Sequence, residues 1–231
     1  MQFRKLIILA AGFVLFAGPL GSLLSAQDLK SVLARLDASA ANFRSATAKV
    51  EYDNTMTDPI PNTDVLTGVV YYQRNGKGFE SGVHFDETNG QKAPKILVFS
   101  GGVAKLYDKL TDQLTVFKEA GQYESYLALG FGASGKELTD KFHVKYLGSE
   151  KIGSVTTDKL ELVAKDPRVL KLFPKITIWM DSSRGVSLKQ VFDEGQGQSR
   201  TGIYSNIKLD QPLPSDAFTI TTDKKTQVIN R

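Results

Sequence analysis

The stretch Lys175–Gln196, KITIWMDSSRGVSLKQVFDEGQ, decides the fold. Ile176, Ile178 and Met180 alternate with Thr177 and Trp179, the period-2 pattern of a strand with two distinct faces. Asp181-Ser-Ser-Arg-Gly185 supplies turn chemistry, and Val186 to Gln196 resumes the extended pattern. The stretch therefore reads as a hairpin, with the chain's single Trp on the face opposite Ile176, Ile178 and Met180. It carries no catalytic grouping, so the question becomes what a sheet of such hairpins is for.

Reading outward, the same pattern recurs. Ala46, Ala48, Val50 and Tyr52 alternate with Thr47, Lys49, Glu51 and Asp53. Strands are then expected over 65–74, 79–86, 95–99, 104–107 and 113–118. The connections NGKG, ETNG, SGG and DKLTD are short, which favours antiparallel neighbours. Further strands are expected over 143–147, 154–164, 200–209 and 217–221, with KDPRVLKLFP as a loop and the two prolines of DQPLPSD marking an edge or crossover. Helices are few. Leu29, Val32, Leu33, Leu36, Ala40 and Phe43 give one apolar stripe, with Asp28 placed to cap it. Tyr123, Tyr126 and Leu127 suggest a short second helix. Ser134 and Glu137 match a capping box for a third, after an LGFGASG segment that reads as a hinge. So few helices cannot cover both faces of ten or eleven strands. The expected fold is mainly β: a curved antiparallel sheet forming an incomplete β-barrel, with the N-terminal and mid-chain helices as a lid.

The N-terminus reads as an export signal over 1–26, followed by one domain over 27–231. Arg4 and Lys5 precede about a dozen apolar residues, a run short for a membrane span, and Leu24-Ser25-Ala26 offers a cleavage site. An uncleaved anchor is the other reading of this segment. With no Cys in the 231 residues, neither a lipid-modified Cys nor a disulfide framework is available. The net charge of +4 falls to +2 without Arg4 and Lys5, and the lysines are interleaved with acids, so nothing marks a nucleic-acid surface.

Candidate chemistry is sparse. His84 and His143 are the only histidines; His84 shares a strand face with Asp86, but a metal site needs further ligands. Ser100 lacks a nucleophile elbow. GFGASGK has Gly130 and Gly135-Lys136, but Glu137 stands where a phosphate loop needs Ser or Thr. Asp193 and Glu194 are adjacent on a strand and face opposite ways. The expectation is therefore no catalytic residue, no metal and no cofactor. Aromatic residues, by contrast, occur in nearly every element, and runs such as Val69–Tyr72 and Ile96–Phe99 are apolar on both faces. One face of the sheet is free to line a cavity. If Val70 and Tyr72 face inward, Arg74 does too, at the strand's end, and Val83 and Phe85 join them from the next strand.

Several stretches together resemble one family. These are FRSATAKV at the helix-to-strand entry, the YYQR strand, VFSGGVAKLYD, LGFGASGKEL, GSVTTDKLELVAK, and the long final run from ITIWMDSSRG through YSNIKLDQPLPSDAFTI. They look like the periplasmic outer-membrane lipoprotein carrier, or lipoprotein-sorting (LolA-like), family over residues 28–221. Asn75 departs from the family's Pro after the Arg. The resemblance implies a monomeric periplasmic carrier. It would take an acylated lipoprotein or lipid from an inner-membrane transporter and deliver it to an outer-membrane receptor. It also implies that Arg74 holds a lid closed, with Val70, Tyr72, Val83, Phe85, Leu33 and Leu36 at the cavity and lid. The alternative is a periplasmic lipid- or partner-binding regulatory module on the same fold. Strand addition at a sheet edge is a third reading and a lipid-processing enzyme a fourth.

Overall fold

The structure is a computed structural model; it describes residues 20–75 and 78–231, with side chains from Asp28 onward except those of Asn75, Ser125 and Leu127. The export signal expected over 1–26 therefore lies largely outside the described residues. Among the described residues no helix is long and apolar enough to cross a membrane.

Twelve strands form one curved sheet. The first six are β1 (Ser45–Met56), β2 (Asn62–Asn75), β3 (Gly78–Thr88), β4 (Gln91–Ser100), β5 (Val103–Asp108) and β6 (Gln113–Phe117), an antiparallel meander. The next five are β7 (Phe142–Ile152), β8 (Val155–Ala164), β9 (Lys175–Asp181), β10 (Val186–Gly195) and β11 (Gln198–Leu209), a second meander. The two join where β11 pairs antiparallel with β1, over Ala46↔Leu209 to Met56↔Gln198. β12 (Gln227–Asn230) adds parallel to β6, so β12 and β7 are the free edges and the barrel stays open. Register shifts in six of the strand pairs introduce bulges, the local device that bends a sheet.

This topology dictates what crosses the sheet. β6 lies near one edge and β7 at the other, so the chain between them must traverse a whole face. It crosses the concave one, through a 3-10 turn (Ala120–Tyr123), α2 (Glu124–Leu127), the LGFG segment and α3 (Gly135–Lys141). The link from β11 to β12 takes the convex face. There Ala217 is fully buried, and a Cβ on Gly82 of β3 would stand 1.9 Å from its carbonyl oxygen. Only Gly lets the strap lie that close.

α1 (Leu20–Ala40) and α3 cover the second meander. Val32 and Leu36 of α1 and Leu138 of α3 pack with Leu160, Leu162, Ile176, Ile178 and Met180. The opening hairpin alternates as read: Ile176, Ile178 and Met180 are wholly buried, while Trp179 faces out beneath the ammonium groups of Lys159 and Lys189, 4.8 and 4.9 Å from its ring. The inner face of β9 is thus packed core under a helix rather than a wall of open barrel.

Four local expectations need correcting. α1 begins at Leu20, so Asp28 lies inside the helix and does not cap it. The intervening Leu and Ala residues are good helix formers and extend it backward. KDPRVLKLFP contains a helix, α4 (Pro167–Leu172); Asp166 accepts the Arg168 N–H at its N-terminus and Pro167 takes the first turn. Residues 217–221 form no strand, because they belong to the strap over Gly82; the pairing segment comes later, at Gln227–Asn230. LGFG is not a free hinge. Its backbone bonds to the β9–β10 turn, with Gly132 N–H donating to Gly185 O and Ser187 N–H to Gly130 O.

Candidate functional site

The uncovered part of the concave face encloses a cavity of about 1100 Å³. Its apolar wall comes from Tyr72, Val83, Phe85, Leu97, Leu106 and Phe117 on successive strands β2 to β6. Tyr123 and Tyr126 of the crossing segment, Leu172 and Phe173 of α4 and Phe192 of β10 face them. Polar lining stands where β6 leaves the sheet, with Lys118, Glu119, Gln122 and Arg231, and at one end of β2, β1 and β11. Asn54 pairs with Asp64 and Arg200, and Met56 pairs with Asn62 and Gln198.

The other end is closed by the crossing segment. Phe131 is fully buried, its ring stacked on Tyr72 at 4.0 Å and edge-on to Tyr204 at 4.9 Å. Gly130 and Gly132 both have positive φ, which turns the chain so that Phe131 points down into the sheet. Beyond it, α3 starts with the full capping box anticipated from Ser134 and Glu137. Glu137 then does a second job. Both of its carboxylate oxygens accept from the Arg74 guanidinium, at 3.2 and 3.3 Å, tying α3 to the end of β2. Burial pushes the Glu137 carboxyl up, but the Ser134 N–H and the Arg74 guanidinium outweigh it and hold it below the usual range. α3 also rests on α1. Gly135 lies so near that a Cβ would come within 2.4 Å of Leu33 O, and Asp37 accepts the Lys136 N–H at 3.0 Å.

The residues named from the sequence divide between these features. Tyr72, Val83 and Phe85 line the cavity. Val70 is fully buried in the core cluster shared with Phe131. Leu36 is buried in the second cluster, and Leu33 supports Gly135. Arg74 reaches α3. Sequence reasoning did not find Tyr52, Tyr204 and Gln190, because their pairing depends on the β1–β11 register. The Tyr52 and Tyr204 hydroxyls lie 2.9 Å apart, Tyr204 donates to Gln190 Oε1 at 3.2 Å, and Gln190 Nε2 donates to Leu129 O at 2.7 Å. Burial raises the pKa of all three phenols, Tyr52, Tyr72 and Tyr204, so the cluster is neutral. Among the described residues no three His, Asp or Glu side chains converge as metal ligands.

Curved, open and crossed on its concave face by helices, the chain has a LolA-like fold. No family model matches the sequence. An uncharacterised protein of Methanocaldococcus jannaschii is 26% identical over 123 residues, 53% of this chain, so the chain spans about a third (34%) of that relative. An uncharacterised conserved protein from Thermus thermophilus has a similar structure, with a TM-score of 0.55 at 14% identity over 89% of this chain and 100% of that one. MucB superposes with a TM-score of 0.51 at 12% identity, over 88% of this chain and 66% of its own. A LolA superfamily protein from Nitrosomonas europaea is more distant, with a TM-score of 0.42 at 17% identity over 83% and 97% of the two chains.

Proposed function

We propose that this protein is a non-enzymatic periplasmic carrier that shields acyl chains, of a lipoprotein or a free lipid, in the concave cavity. The observation that carries this reading is the cavity itself: about 1100 Å³ of mostly apolar space left unfilled between β2–β6 and the side chains of Gln190, Phe192 and Tyr204, while β8 and β9 pack tightly under α1 and α3. A globular protein gains nothing by leaving such a space, since interiors ordinarily pack densely. Each CH₂ transferred into it is worth about 0.8 kcal/mol, so a few acyl chains make a container necessary for crossing water. In this reading α3 and the LGFG segment are the lid, with Arg74–Glu137 as its latch and Phe131 as its plug. Loading from an inner-membrane transporter and release to an outer-membrane receptor belong to the same proposal.

The test is uptake of a polarity-sensitive apolar dye by the purified chain, combined with native mass spectrometry of protein from a periplasmic extract. Dye uptake that phospholipid competes away, or co-purified acylated cargo, supports the carrier. A protein that is both empty and closed to dye overturns it and moves the partner-binding module to first place.

A further inference from the structure

One end of the sheet gathers apolar side chains that no described residue covers. Strand pairing puts four connections there. The β1–β2 loop follows the Met56↔Asn62 pair, and the β5–β6 turn follows Asp108↔Gln113. The β10–β11 turn joins Gly195 to Gln198, and α4 leads into Lys175, which pairs with Asp193. Thr57 N–H donates to Gly197 O, so the first loop lies against the β10–β11 turn. On these connections stand Ile60, Leu110, Leu170 and Leu172, which are 72, 66, 38 and 47% exposed. They are four of the six large apolar residues so exposed among the described residues. Single exposed leucines are ordinary on a protein surface, but most of them collected at one end mark an interaction site. Pro59 and Pro61 flank Ile60 and fix the backbone that presents it.

The charges beside these tips fit a lipid surface. Lys109 precedes Leu110, and Lys171 lies between Leu170 and Leu172; both lysines are exposed. The nearby acids are mostly engaged within the protein: Asp108 with Lys95, Asp112 with Tyr107 and Thr226, and Asp166 with Arg168. Asp58, two residues from Ile60, is the exception among the described residues. The cores of protein interfaces are depleted in Lys. At a bilayer, by contrast, the Lys head reaches lipid phosphate while its stem and the adjacent Leu enter the acyl boundary. The cavity reaches the same end. Its lining includes Met56, Asn62 and Gln198, and Leu172 belongs both to the lining and to the exposed tips.

We infer that this rim docks the protein on an anionic bilayer, with Ile60, Leu110 and Leu172 among the acyl chains and Lys109 and Lys171 on lipid phosphates, so that the cavity faces the membrane from which a chain is drawn. The purpose of the docking rests on the carrier reading. Ile60 and Leu110 lie outside the cavity lining, so docking and acyl binding can be tested apart.

Flotation is measured with vesicles of phosphatidylglycerol and phosphatidylethanolamine and with vesicles of phosphatidylcholine alone, alongside uptake of the apolar dye. The wild type should bind the anionic vesicles about tenfold more tightly than the neutral ones. Ile60→Ser combined with Leu110→Ser should weaken vesicle binding by about tenfold and leave dye uptake as in the wild type. Lys109→Gln combined with Lys171→Gln should weaken binding about tenfold on anionic vesicles only. Because the chain has no Cys, Ile60→Cys can carry a single environment-sensitive fluorophore. Its emission should shift to the blue on anionic vesicles, while the same label at Lys105→Cys, an exposed position on β5, stays unshifted. Absence of flotation, or flotation that the Ile60 and Leu110 substitutions do not weaken, overturns the docking, and retained dye uptake then leaves the carrier standing. Vesicle binding by a protein that takes up no dye keeps the docking and overturns the carrier. Self-association of the free protein that the same two substitutions abolish assigns the tips to a second copy and overturns the membrane as their occupant.

Discussion

Replacing Arg74 by Gln removes the charge from the proposed latch but keeps most of the side chain. The guanidinium meets both Glu137 oxygens, but at 3.2 and 3.3 Å and with the Arg and Glu side chains 31% and 50% exposed. Solvent screens such a pair, so it belongs with exposed ion pairs, worth about 0.5–1 kcal/mol, and not with buried ones, whose disruption costs about 3–5 kcal/mol. Lid opening should therefore become about two- to fivefold more favourable. The assay is hydrogen exchange at the amides of α3 and the LGFG segment, read against amides of β9 that report global unfolding. Glu137 also caps α3, so the single variants must be closed into a cycle with Glu137→Gln, which keeps a capping oxygen without the charge. The Glu137 carboxyl is held below its usual 4.5, so the latch contributes fully above that value and is lost as pH falls through the lowered folded-state pKa. Wild type and Arg74→Gln should thus differ at pH 7 and converge in strong acid. A coupling energy near zero at pH 7, or unchanged exchange in α3, would refute the latch.

Phe131→Ala removes a fully buried ring stacked on Tyr72, and about 3–5 kcal/mol of stability should go with it in urea unfolding. A cost under about 1 kcal/mol would show that the plug is not packed as described. Gly135→Ala places a methyl 2.4 Å from Leu33 O, so α3 should lift from α1 and exchange faster while β1–β6 stay protected; equal protection across α3 would contradict the close approach. Gly82→Ala forces the Ala217 carbonyl off β3, so limited proteolysis should cut earlier within residues 210–226 than in wild type. An unchanged digestion pattern there would count against the strap.

The lid shows how far sequence could reach. Ser134 and Glu137 announced the capping box, and Arg74 could be placed inward by counting alternate residues from Val70 and Tyr72. Nothing local said that Glu137 would answer Arg74, because the two are 63 residues apart and meet only when the crossing segment closes one end of the sheet. The 217–221 stretch misled for a related reason. Its apolar residues serve a strap over Gly82, and alternation in sequence does not reveal whether the chain pairs with a strand or lies across one.

What the sequence determined by itself was the strand content, most strand positions, the turns and the amphipathic helix, since each depends on the backbone preferences and periodicity of a few consecutive residues. Tertiary structure alone decided which half of the concave face is packed and which is hollow. Ile176, Ile178 and Met180 alternate just as Val83, Phe85 and Leu97 do, yet the first set is covered by α1 and α3 while the second faces open space. Apolar side chains carry the same pattern into a core or a cavity wall. The difference lies in where the segment joining two distant sheet edges comes to rest, and that is fixed by the register of β1 on β11 and the length of chain between β6 and β7.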